Sequence, residues 1–136
     1  MNYKYFSECF SIDKTSPSGL RWKERPLSHF KSLTSMKIFN GQFSNKPAGS
    51  NGIYNGGNRW LVRITSKENS KPTLFLVSRI IWTIVNNQDI PEGCIIDHID
   101  GNPQNDNPLN LRLATRQENA RNRNLDIRNT SGTTGV

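Results

Sequence analysis

At 136 residues, 33% of them apolar, the chain has room for one domain with a modest core, or one small domain plus a tail. Eighteen Lys and Arg against eleven Asp and Glu leave a formal charge of +7, which favours a polyanionic partner, nucleic acid first. No apolar stretch approaches the roughly 20 residues of a membrane helix, since the longest, 74–85, is interrupted by Ser78, Arg79 and Thr83.

The first segment, 1–49, is polar and irregular, punctuated by Pro17, Gly19, Pro26, Gly41, Pro47 and Gly49, with short strand-like runs such as 37–39. Its opening has no secretory apolar region. Cys9 and Cys94 lie far apart and outside any CxxC. That excludes the usual structural zinc site and suits ordinary thiols in a reducing cytosol, hence a cytoplasmic location.

From Ser50 the signals sharpen. Gly52-Ile53-Tyr54 and Trp60-Leu61-Val62-Arg63-Ile64 flank Asn55-Gly56-Gly57-Asn58, the pattern of a β-hairpin with a Gly-rich turn. A third strand is expected at 73–77. In 79–86, Ile80, Ile81, Ile84 and Val85 share one helical face. Pro91-Glu92-Gly93 then turns the chain. Cys94-Ile95-Ile96 reads as a short strand, and 97–102 as a polar turn. An Asn- and Pro-rich loop runs to Pro108, and 109–114 reads as a second strand carrying Asn110. Thr115-Arg116-Gln117-Glu118 is a capping box that opens a helix to about Asn124. The tail, 125–136, is expected to be flexible. The predicted fold class is α+β, an N-terminal β-hairpin region followed by a compact strand–loop–strand–helix unit. Trp22, Trp60 and Trp82 are expected in the core, and His29 in packing or on the surface.

The chemistry concentrates in that last unit. Hydrolysis of a phosphodiester needs a base for the attacking water and a cation for the charge that gathers on phosphate and leaving oxygen. A neutral histidine suits the first task. Magnesium suits the second, and needs only one or two oxygen ligands from protein. Asp97 offers a carboxylate at a strand end, and Asn119 an amide oxygen on the helix. His98 follows Asp97, so the two side chains point to opposite sides. Asn110 can hydrogen-bond across to the His98 segment and fix the ring. Arg116, Asn119 and Arg123 share roughly one helix face. With Arg112, Arg121 and Arg128 they form a candidate phosphate-contacting set.

These residues resemble the HNH endonuclease family, in its phage and intron-encoded homing type. The resemblance rests on Ile96-Asp97-His98-Ile99-Asp100-Gly101-Asn102, Asn110-Leu111-Arg112, Thr115 and Glu118-Asn119. Asn110 follows His98 by twelve positions and Asn119 by twenty-one. Arg79-Ile80-Ile81-Trp82 and Ile90-Pro91-Glu92-Gly93 resemble the family's lead-in, although Ser78 stands where relatives often carry His.

The resemblance implies a ββα-metal finger, with a nuclease domain over 50–124 and its core at 94–124. It implies His98 as general base, Asn110 as the residue that orients it, and Asp97 with Asn119 as ligands of one divalent cation, Mg2+ first and Mn2+ second. The implied partner is duplex DNA. A monomer is expected, in host cytoplasm if the source is a phage, with no small-molecule cofactor. Asn129-Thr130-Ser131-Gly132-Thr133-Thr134-Gly135-Val136 resembles the opening of an AP2-like DNA-binding module. The alternatives are a catalytically inactive DNA-binding protein on a nuclease fold, which the intact Asp97, His98, Asn110 and Asn119 disfavour, and an RNA-binding module, disfavoured by the lack of RNP-like aromatic pairs or a GXXG loop.

Overall fold

Segment 1–49 is folded rather than irregular in the computed structural model, which describes residues 1–68 and 71–118. Helix α1 (Tyr3–Cys9) starts where the Asn2 side chain accepts from the Tyr5 amide. Strands β1 (Phe10–Ile12) and β2 (Leu20–Trp22) pair antiparallel, with Phe10 opposite Trp22. A 3-10 turn (Leu27–His29) leads to α2 (Leu33–Phe43), whose Ser32 cap accepts from the Ser35 amide. The strand-like run 37–39 therefore lies inside a helix. Phe39 and Phe43, four residues apart, both pack on the Trp22 ring, and this tertiary contact outweighs local propensity.

The central hairpin forms as expected, with a tighter turn. β3 (Ser50–Tyr54) and β4 (Gly57–Ile64) are joined by Asn55-Gly56 alone, at φ 49° and 83°. Two consecutive positive φ values give the turn whose twist matches a hairpin. Gly57 and Asn58 are thereby freed to pair with Tyr54 and Ile53. β5 (Thr73–Leu76) adds to the other edge of β4 and runs straight into α3 (Val77–Asn86). That helix buries Val77, Ile80, Ile81 and Trp82, and ends at Asn87 in the left-handed conformation, φ 51°.

β6 (Cys94–His98) and β7 (Leu111–Thr115) form the last antiparallel pair, with a 3-10 turn (Pro108–Asn110) before β7. Two bounds differ from expectation. β6 continues through Asp97 and His98, which pair with Arg112 and Leu111. Asn110 belongs to the turn and not to the strand, because the Asn107 side chain accepts from the Leu109 amide and Pro108 opens the turn. Among the described residues the architecture is α+β, three small antiparallel sheets around α3.

One core serves the whole described chain. Phe6, Cys9, Phe10, Leu20 and Trp22 join Val62, Ile64, Val77, Ile80, Ile81, Trp82 and Leu111 in a single cluster, with Trp60 half-buried against it. The Tyr3 amide donates to Asp89 Oδ1 at 2.7 Å, which closes α1 onto the chain just beyond α3. Leu111, opposite His98, ties the last sheet to this core. No helix among the described residues is long and apolar enough to cross a membrane.

His29 proves to be a packing residue, 3% exposed, with its ring stacked on Tyr5 at 3.7 Å. Arg25 Nε donates to His29 Nδ1 at 3.1 Å, so the ring proton sits on Nε2, which donates to Glu8 Oε1 at 3.0 Å. Burial first, opposed by the Glu8 hydrogen bond and aided by the Arg25 charge, holds the His29 pKa below its ordinary value. Burial also pushes the Cys9 thiol up to about 12.

Candidate active site

β6 delivers Asp97 and His98 to opposite sides of one strand, as the alternation of side chains requires. On one side, Arg112 Nε and Nη2 both donate to Asp97 Oδ2, at 2.9 and 2.8 Å. This is a cross-strand ion pair between directly opposed residues. It leaves Oδ1 of a part-exposed carboxylate without a hydrogen bond among the described residues.

On the other side, His98 Nε2 lies 2.7 Å from Asp106 Oδ1, and Asp106 is buried at 8% exposure. In a neutral ring this contact puts the proton on Nε2 and the lone pair on Nδ1. Nδ1 has no hydrogen-bond partner among the described residues. A ring fixed at one nitrogen, with no described partner at the other, can accept a proton there.

The loop between the strands makes this possible. Gly101, at φ 77°, closes a tight turn in which its amide donates to the His98 carbonyl. Asn110 then staples the loop. Its carbonyl accepts from the Ile99 amide, its Oδ1 from the Asp100 amide, and its Nδ2 donates to Asp100 Oδ1 and to the Asn105 carbonyl. Asn105 Nδ2, the Asn102 amide and Asn110 Nδ2 all donate to Asp100, which holds that carboxyl below the usual carboxylate range. A second tie comes from outside, where Asn51 of β3 donates to Gln104.

Asn110 thus meets the backbone and side chain just past His98, while the imidazole itself is held by Asp106. Asp106 lies in the stretch whose sequence shows only an Asn- and Pro-rich loop. A carboxylate with no partner of fixed spacing carries no periodic signal, and only the closed loop shows which of its polar residues turns inward. Asp97, His98, Asn110, Arg112 and Arg116 lie among the described residues. Asn119, Arg121, Arg123, Arg128 and the tail with its AP2-like motif lie outside them. Half of the capping box forms, the Glu118 amide donating to Thr115 Oγ1 at 3.1 Å, and helical turns begin at 116–118.

The HNH endonuclease family matches residues 75–121, which takes in α3, both site strands and the loop. Protein 3.8 of Escherichia phage T7 is 50% identical over 56 residues, a stretch that covers 41% of this chain and 46% of that protein. No solved structure matches the chain.

Proposed function

With an HNH endonuclease segment at 75–121 as premise, we propose that the chain is a metal-dependent DNA endonuclease in which His98 deprotonates the attacking water. The observation that carries this is a ring clamped at Nε2 by buried Asp106, with no partner for Nδ1 among the described residues, one residue from Asp97. Asp106 is then a positioning residue, and Asn110 holds the loop that presents it.

Among the described residues no three His, Cys, Asp or Glu side chains cluster as a metal cage. The donor set nonetheless fits a hard cation that keeps most of its waters, since Asp97 Oδ1 is an open carboxylate oxygen and one or two protein ligands suffice. Asp97 would hold it with the Asn119 amide oxygen, Mg2+ being the best match and Mn2+ the next. Bound there, the cation would neutralise charge on the phosphate and the leaving oxygen. Arg112 keeps the Asp97 carboxylate oriented, and with Arg116 it is exposed to face DNA phosphates. Arg121, Arg123 and Arg128 extend the same proposed contact.

The test is nicking of supercoiled plasmid. The wild-type protein with Mg2+ should nick, and EDTA should stop it. Asp97→Asn and Asn119→Ala should raise the metal concentration required. His98→Ala should slow cleavage by about 10²–10⁴ while DNA binding survives. An intact plasmid with every divalent cation, alongside retained DNA binding, overturns the enzyme and leaves a DNA-binding protein on a nuclease fold.

A further inference from the structure

A second feature lies away from the nuclease loop. Between α2, the 3-10 turn at Leu27–His29 and the face of β4 is a cleft of about 580 Å³. Its volume falls within the range of built ligand sites, about 300–1,000 Å³. Phe30, Phe39 and Phe43 line it, and Lys31, Arg63 and Lys67 stand exposed around it. Among the described residues no Asp or Glu lines it.

Arg25 also lines the cleft and is only 2% exposed. Its guanidinium lies 4.8 Å from the centres of both the Phe30 and Phe39 rings. Nε donates to His29, and Nη2 to Tyr5 Oη and the Thr65 carbonyl. All three acceptors are neutral groups, and Nη1 has no hydrogen-bond partner among the described residues. A buried cation without a carboxylate against it, and with unused donors, is costly unless an anion meets it. Glu8 already accepts from His29, and Glu68 acts on Tyr5 and His29 without a hydrogen bond to Arg25 among the described residues.

We propose that this cleft binds one unpaired nucleotide of a single-stranded nucleic-acid segment. The half-buried Phe rings supply a stacking wall for the base, and Arg25 with Lys31 and Lys67 take the phosphate. Aromatic stacking with cationic tracking of the backbone is the general physics of single-strand binding, and a stacked duplex offers no base face to such a wall. The link to the nuclease loop is short. Ser50 lines the cleft, and its neighbour Asn51 donates to Gln104 in the loop that holds Asp106. The identity of the strand as substrate DNA rests on the function proposed above, whereas the cleft's chemistry does not.

The experiment uses a dodecameric oligodeoxythymidylate carrying 5-iodouracil, with the full chain in EDTA so that cutting is suppressed. Irradiation should cross-link it to a peptide from 22–43. Lys31→Ala with Lys67→Ala, both exposed and outside the core, should weaken single-strand binding by about tenfold at low salt and weaken a duplex of equal length less. Phe30→Ala, checked for folding by circular dichroism, should weaken it by about five- to a hundredfold, the range for one lost base stack. Cross-links confined to 94–118, or an equal loss for single strand and duplex in the Lys variant, overturn the cleft assignment. Plasmid nicking without cross-linking at 22–43 sinks the cleft alone. Cross-linking at 22–43 by a protein that nicks nothing sinks the nuclease alone.

Discussion

Two histidines each sit beside a carboxylate in this molecule, and they serve different ends. His98 meets Asp106 at 2.7 Å, His29 meets Glu8 at 3.0 Å, and both contacts use Nε2. The difference lies at the other nitrogen. His29 Nδ1 is taken by Arg25, and its ring is covered by Tyr5. His98 Nδ1 has no partner among the described residues. Carboxylate pairing therefore does not mark a base, because it fixes a tautomer in both cases. What separates them is whether a described residue takes the remaining nitrogen. The surroundings differ in kind as well. His29 is held by Tyr5, Glu8 and Cys9 of α1 and by Arg25, just before its own 3-10 turn. His98 is held by a local loop of short polar side chains that bond one another within about ten residues.

That contrast breaks in a defined order. His29→Ala strands the Arg25 Nε donor and opens a void, and should cost about 3 kcal/mol by urea unfolding, at the upper end of the loss for a buried unsatisfied group. The rate at saturating DNA should stay the same per folded molecule, because His29 does not reach the loop that holds His98. Asp106→Ala should do the reverse. The imidazole loses its anchor, and the cleavage rate should fall by about 10²-fold, the scale of a misplaced catalytic group, with little change in KM. A double variant that shows both losses in full would establish the two regions as independent. A loss of stability without a loss of rate in Asp106→Ala would remove Asp106 from the mechanism.

A pH series sharpens the comparison further. Because the folded-state pKa of His29 is lowered, the unfolded chain binds the proton more readily. Its stabilising share is whole above the ordinary histidine value of about 6.5 and is lost as pH falls through that value toward the lowered one. The urea midpoint should thus drop between pH 7.5 and 5, and by less in His29→Gln, which retains a donor and an acceptor but cannot titrate. The smallest effect concerns thiols. Cys9 is buried with its pKa pushed up to about 12, whereas Cys94 is part-exposed. Iodoacetamide should label Cys94 in the native protein and reach Cys9 only in denaturant. Equal labelling rates would show that α1 does not stay docked.

Much of the site was legible because its residues are local in sequence. The strand, turn, strand and cap between Cys94 and Glu118 each carry their own signature, and Asp97, His98 and Asn110 fall within it. Asp106 was not legible, since nothing at the level of spacing distinguishes it from Asn105 or Asn107. The central hairpin was visible through Asn55-Gly56 and the alternation after Trp60. Segment 1–49 was opaque for another reason. α1, β1, β2 and α2 are short and weakly patterned; α2 packs back on Trp22, and α1 and the β1–β2 pair share one core with Val62, Ile80 and Ile81 from later in the chain. Their sequences lack strong local preferences because tertiary packing decides them.

The hydrogen bond between Tyr3 and Asp89 has a consequence for synthesis. It closes 86 positions, whereas the His98–Asp106 pair closes only eight. The longer closure costs about 2 kcal/mol more in chain entropy. It also imposes a wait. At about 5–20 residues per second, α1 emerges roughly 4–17 s before the chain reaches Asp89. Through that interval Phe6 and Phe10 have no α3 to cover them. The nascent chain therefore presents two uncovered aromatic side chains at the ribosome, and early chaperone capture at 3–10 is the expected remedy. Ribosome-stalled chains that end before 77–89 should cross-link from Phe6 to chaperone, and chains stalled far enough beyond it for α3 to emerge should not.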